Sequence, residues 1–238
     1  MQLDVRDLTD FYDAPIGQAA RRLIQRRLKL IWPELRDRRV LGYGFAVPYL
    51  RLWLPEAERA VALMPAQQGV MPWPSGKNLA ALGDDDALPF PDAFFDRILV
   101  VHGLEGAESM RPLLRQLWRV LAPEGRLIIV APNRSSLWAQ LERSAFAIGR
   151  PFHRTELGNL LRQSMFEPLV WDRALYAPPF TSRSVMGTGT TWERIGQRLW
   201  PALSGVHLVE SGKSLVAAVP QPTKIRGERV FAPARANS

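Results

Sequence analysis

Apolar residues along the chain switch between a helical period and short unbroken runs. From Pro15 to Ile31, Ile16, Ala19, Ala20, Leu23, Ile24, Leu28 and Ile31 mark one face, with arginines between them. Pro15 suits a first helical turn, and Pro33 stops the helix. Residues 39–43 then form an apolar run that enters a glycine-containing turn, which predicts a first strand. Residues 48–54 predict the following helix, 60–63 a second strand and 79–82 a third, with an irregular Pro/Gly-containing stretch over 64–78. The run 96–102 predicts a fourth strand, since a β-rich apolar segment of this kind suits a sheet covered on both faces. Met110, Leu113, Leu114, Leu117, Val120 and Leu121 stripe a helix that Gly125 ends, and 126–130 predict a fifth strand stopped by Pro132.

Beyond Pro132 the pattern loosens. Residues 135–148 predict a helix, and Thr155 caps another that runs through Gln163. Residues 167–173 predict a sixth strand. Residues 206–210 and 214–219, split by Ser211-Gly212-Lys213, predict a hairpin. Residues 181–191 are rich in Gly, Ser and Thr and predict a mobile loop; the chain after Pro220 predicts disorder. Strands alternating with helices imply an α/β, doubly wound, mostly parallel sheet with right-handed crossovers. The expected organisation is a helical segment over 1–35 packed on the core, one domain over 36–220 and a basic tail over 221–238.

Composition narrows the chemistry. The 238 residues are 47% hydrophobic and 23% charged, ordinary for a soluble globular chain able to bury a core. There are no cysteines, which excludes thiol catalysis and cysteine-ligated metal and fits a reducing compartment. The acidic start lacks a signal-peptide pattern and no apolar run spans a membrane, so a cytoplasmic location is expected. The net charge of +8 raises the odds of an anionic partner; a solvated helix face and a basic tail account for the same charge.

The residues from Gly83 to Asp96 carry a more specific signal. Gly83-Asp84-Asp85-Asp86 is an acidic turn, followed by Leu88-Pro89-Phe90 and then by Phe95-Asp96 opening the fourth strand. His102-Gly103-Leu104-Glu105 follows that strand, and Leu121-Ala122-Pro123-Glu124-Gly125 leads into the fifth. In this order the set resembles the class I S-adenosylmethionine-dependent methyltransferases of the type 11 kind. The resemblance implies a seven-stranded Rossmann-like sheet, S-adenosylmethionine as cofactor and a methyl acceptor that the sequence does not identify. It also implies cofactor-binding roles for Gly42, Tyr43, Gly44, Asp84, Asp85 and His102, with Asp84 as the adenine carboxylate and His102 as the catalytic candidate, a general base. Asp84, Asp85 and Asp86 also read as an Asx-rich turn without a ligand, His102 as a satisfied strand-end histidine, and Glu105 as a cap on the next helix. No His/Asp/Glu set has metal-ligand spacing.

The chain departs from the family pattern at two places. After the first strand, Phe45-Ala46-Val47-Pro48 stand where small residues are usual, and Gly42 stands where the family places an acid. The second strand ends Leu63-Met64-Pro65 and offers no ribose-binding acid. Two function classes therefore stand side by side: a methyltransferase, and an inactive relative that serves as a protein-binding or scaffold module.

Overall fold

The computed structural model describes residues 4–141, 144–176, 196, 198 and 203–214. Its centre is a seven-stranded sheet in the order β3-β2-β1-β4-β5-β7-β6. The strands are β1 (Arg39–Gly44), β2 (Arg59–Pro65), β3 (Ala80–Gly83), β4 (Phe95–Val101), β5 (Leu121–Pro132), β6 (Phe166–Ala174) and β7 (Val206–Lys213). The pairs among β1 to β5 are parallel, and β7 runs antiparallel between β5 and β6.

Strand alternation sends side chains to two separate cores. Val40, Leu99, Val101, Ile128 and Val130 face one side, together with α1 (Val5–Asp13), α2 (Pro15–Ile31) and the short α3 (Val47–Leu50). Leu41, Tyr43, Ile98, Val100, Leu127 and Ile129 face the other, against Leu113, Leu114 and Leu117 of α4 (Met110–Val120) and Leu157 and Leu161 of α5 (Arg154–Gln163). With both faces covered, the central strands need apolar residues at every position, which is why their runs show no polar alternation.

Chain order reverses between β1 and β4, so their carboxyl ends splay around a crevice, the usual ligand position in such a sheet. Gly44, Pro65, Gly83 and Val101 end their strands at this edge. No helix among the described residues is long and apolar enough to cross a membrane.

Several local expectations are corrected. Within the helical segment expected over 1–35, only the helix from Pro15 to Ile31 had a named span; a second one, α1, precedes it, and Asp4 caps it by accepting from the Arg6 backbone N–H. The helix after β4 ends at Val120 rather than Gly125, and β5 already begins at Leu121. In place of a helix over 135–148 there is one 3-10 turn, Leu137–Ala139. Ser136 and Ser144 accept from the backbone of Ala139 and Phe146, and such local bonds compete with helix formation. His153, not Thr155, occupies the N-cap of α5. The expected hairpin turn at Ser211-Gly212-Lys213 is instead the end of β7, where Gly212 pairs with both Arg126 and Glu167. Gly212 lies inside the paired strand, so the glycine there marks no turn. The 181–191 loop, the hairpin's second arm at 215–219 and the basic tail over 221–238 lie outside the described residues.

Candidate functional site

Two glycines bring the exits of β1 and β4 into contact. Gly44 has φ of 75°, and a Cβ there would meet the Val101 carbonyl at 2.4 Å. Only glycine accepts both conditions. A Cβ on Gly103 would lie 2.7 Å from the Tyr43 ring, so Tyr43 packs directly on the turn after β4. Gly42 is closed over by its own loop, since a Cβ there would meet Leu50 at 2.6 Å and Ala46 at 2.8 Å.

His102 follows β4 with φ of 50°, a left-handed conformation uncommon for a residue with a side chain. Its ring is buried and held at both nitrogens. Nδ1 lies 3.2 Å from Glu105 Oε1, and Nε2 lies 2.9 Å from the Tyr12 hydroxyl. The carboxylate assigns the ring proton to Nδ1, leaving Nε2 as the acceptor of the Tyr12 O–H. Tyr12 is in turn 2.8 Å from the Tyr49 hydroxyl. Burial pushes both phenols up from their ordinary pKa, so both stay protonated and remain donors at neutral pH. Glu105 precedes α4 by five residues and pairs with His102 rather than capping that helix.

Asp85 is the acidic residue that faces inward. Tyr43 donates its hydroxyl to the Asp85 carboxylate. Burial raises the Asp85 pKa, the Tyr43 bond opposes that rise, and nearby Glu108, Asp86 and Asp84 add to it. Asp84 itself is exposed at the turn, bridged to Ala87. The edge thus gathers Tyr43, Asp85, His102 and the backbone of Gly44 and Gly103, while Gly42 lies beneath the loop and Asp84 lies outside.

Two participants, Tyr12 and Gln68, came from outside the sequence motifs. Tyr12 reaches the site from α1, where Leu8, Phe11 and Tyr12 at helical spacing were the available signal. Glu105 was visible in the sequence but not its pairing. Gln68, just past β2, donates to the His102 carbonyl at 2.8 Å.

These groups enclose a cavity of about 30 Å³ lined by Pro65, Gln68, Asp85, His102, Glu105 and Gly149, among others. Gln68 Oε1 and Glu105 Oε2 are buried here without a hydrogen-bond partner. The donor-acceptor set therefore suits a ligand carrying hydroxyl or amino donors, such as the ribose and amino end of an adenosyl amino acid. The volume does not suit it. Small-molecule pockets run to roughly 300–1,000 Å³, and the space above the β1 loop is filled by Tyr12 stacked on Phe45 at 5.7 Å and by Phe146 at 4.9 Å from the His102 ring. The chemistry fits the cofactor, and the volume of the site in this arrangement does not. Among the described residues there is no cluster of His, Asp and Glu able to hold a metal ion.

Comparison with known proteins agrees with this architecture. A family model described as a methyltransferase domain matches residues 42–129, spanning the β1 loop through β5. A ubiquinone/menaquinone biosynthesis C-methyltransferase of Pectobacterium carotovorum is 47% identical over 45 residues, 19% of this chain and 18% of the relative. The corresponding enzyme of Laribacter hongkongensis is 36% identical over 62 residues, 26% of this chain and 25% of the relative. The chain thus matches only about a quarter or less of the length of these curated relatives. Solved structures match more widely at low identity. The methyltransferase in complex with the Haloferax volcanii Trm112 activator aligns with a TM-score of 0.61 at 17% identity, covering 89% of this chain and 95% of that one. A methyltransferase of Thermotoga maritima gives 0.57 at 19% identity, covering 88% and 96%. A Burkholderia thailandensis N-methyltransferase with bound S-adenosylhomocysteine gives 0.55 at 17% identity, covering 87% and 84%. The ordered motifs, the strand order and the domain match agree: residues 42–129 match the methyltransferase-domain family, and the fold is the Rossmann-like one of these solved methyltransferases.

Proposed function

We propose that the protein binds S-adenosylmethionine at the carboxyl edge of β1 and β4 and transfers its methyl group to an acceptor. The observation that carries this reading is the pair of buried acceptor atoms, Gln68 Oε1 and Glu105 Oε2, left without partners at the edge where such a ligand would lie. Asp85, held by Tyr43, supplies a buried carboxylate for the adenine amino group; this is a different allotment from the Asp84 of the sequence reading, and variants at both positions separate the two. Gly44 and Gly103 allow close backbone approach. The cofactor supplies an electrophilic methyl on a sulfonium that is already a good leaving group, so positioning matters more than a dedicated catalyst. His102, oriented by Glu105, offers Nε2 as a base for an acceptor proton once Tyr12 withdraws. The acceptor is not identified by these groups. A protein partner and an anionic partner are both compatible with the net charge of +8, and the likeness to a chain solved with an activator favours testing for the former.

A second reading has its own support. The missing acids after β1 and β2, and the filled space under α1, favour an inactive relative that keeps the fold as a binding module. Calorimetric titration with S-adenosylmethionine and S-adenosylhomocysteine decides between them. Saturable binding in the micromolar to sub-millimolar range is expected, and no heat from folded protein at millimolar ligand moves the assignment to the scaffold.

A further inference from the structure

We propose that α1 is a gate hinged at Ala14, and that the adenosyl site opens only when Tyr12 leaves His102. The inference rests on the reading of this edge as an adenosyl site. The closed state has a consistent set of fastenings. Tyr12 bonds His102 Nε2 at 2.9 Å and Tyr49 at 2.8 Å, and stacks on Phe45 of the loop after β1. At the free end of the helix, the Val5 N–H donates to the Gln68 carbonyl at 2.8 Å, and Gln68 in turn donates to the His102 carbonyl at 2.8 Å. Both ends of α1 are therefore tied to the turn that follows β4.

The hinge is equally specific. Ala14 is the single residue between α1 and α2, with extended dihedrals of −68° and 151°. Rotation there moves α1 as a unit, at the cost of the Phe11–Gly17 packing, the Gln18 bond to the Asp13 carbonyl and the burial of Leu8, Phe11 and Tyr12. Gly17 sets the closed elbow angle: a Cβ on it would stand 1.9 Å from the Phe11 carbonyl oxygen. The cavity of about 30 Å³ is too small for an adenosyl ligand, and Tyr12, seated on His102 and Phe45, occupies the space beside it, so such a ligand requires a second position of this helix. Tyr12 rests on Phe45 and Tyr49, so one departure from the family pattern, Phe45, forms part of the seat of the gate.

The chain contains no cysteine, which makes the gate testable by a lock. A Cβ built on Gly69 would lie 3.9 Å from Val5 Cβ, within the range of about 3.5–4.5 Å that disulfides span. Gly69 has φ of 83°, so the substitution carries strain, and the reduced form of the same variant is the reference. The Val5→Cys/Gly69→Cys variant is titrated with S-adenosylhomocysteine, oxidised and reduced. The reduced form should bind, and the oxidised form should bind at least tenfold more weakly. Equal binding in both forms overturns the gate. A second measurement needs no ligand: hydrogen exchange should show α1 opening locally, well before β4 and β5, and Gly17→Ala should speed α1 exchange at least tenfold. Exchange of α1 only together with β4 also overturns the gate. Local opening of α1 with no binding by wild type, Gly17→Ala or reduced variant leaves a mobile helix but removes the adenosyl site, and with it the gate's role.

Discussion

The middle of the sheet and its carboxyl edge differ in what fixes them. At the middle, β4 is buried over Ile98 to Val101, flanked by two parallel neighbours, and every residue there is set by packing. At the edge, His102 at positive φ lines a small cavity with Asp85, Glu105, Gln67 and Gln68, and the buried phenols of Tyr12 and Tyr43 bond to His102 and Asp85. The first region is held by apolar side-chain burial and the backbone ladders on both sides, and its packing is sensitive to changes of volume. The second is held by polar bonds to a helix that arrives from the start of the chain, and such bonds exchange for a ligand's at little net cost. The departures from the family pattern fall in the second region, where Phe45 meets Tyr12.

The largest effect should come from the middle. Leu99→Ala, on a fully buried strand position, should destabilise by about 2–5 kcal/mol in denaturant melts and leave the His102 surroundings unchanged. A smaller loss would mean that the centre is less closely packed than the fold requires.

The antiparallel side supplies a pH test of comparable size. Burial, then the charges of Arg173 and Arg154, hold the His207 imidazole down to about 4. Its folded pKa lies below the unfolded value near 6.5, so the unfolded chain takes up the proton first as pH falls. The contribution is complete above about pH 6.5 and is lost between there and about 4, on the order of 3 kcal/mol. Thermal midpoints should fall over that window in wild type and fall less in His207→Gln. Parallel curves would remove His207 from the account.

The edge should respond in ligand binding rather than stability. Asp85→Ala should weaken S-adenosylhomocysteine binding roughly tenfold to a hundredfold, the cost of an unpaired buried donor. Asp84→Ala and Asp86→Ala, at exposed positions of the same turn, should change it little. Loss confined to Asp84→Ala would return the adenine carboxylate to the position inferred from sequence.

The two regions also differ in how far the sequence exposes them. Strands β4 and β5 stand out because burial on both faces leaves long apolar runs, and α4 because its stripe is clean. The helix α1 is harder to see: three apolar residues, Leu8, Phe11 and Tyr12, sit among acidic ones, although their spacing and the Asp4 cap carry the signal. Position 102 is apparent from its place after β4, but its partners are not, since Tyr12 lies 90 residues away in sequence. Gln68 sits in an irregular stretch whose only local signals are Pro and Gly. The Ser211-Gly212 signal misleads for the opposite reason, because a glycine inside a strand looks the same in sequence as one demanded by a turn.

The central claim is that an adenosyl ligand lies over the β1 and β4 exits in place of Tyr12. The most direct measurement is a crystal structure of the protein with S-adenosylhomocysteine. The account predicts the ligand between Asp85 and Gly103, hydroxyl or amino groups on Gln68 Oε1 and Glu105 Oε2, and Tyr12 withdrawn from His102. A ligand bound elsewhere, or bound with the Tyr12–His102 bond intact, would contradict it.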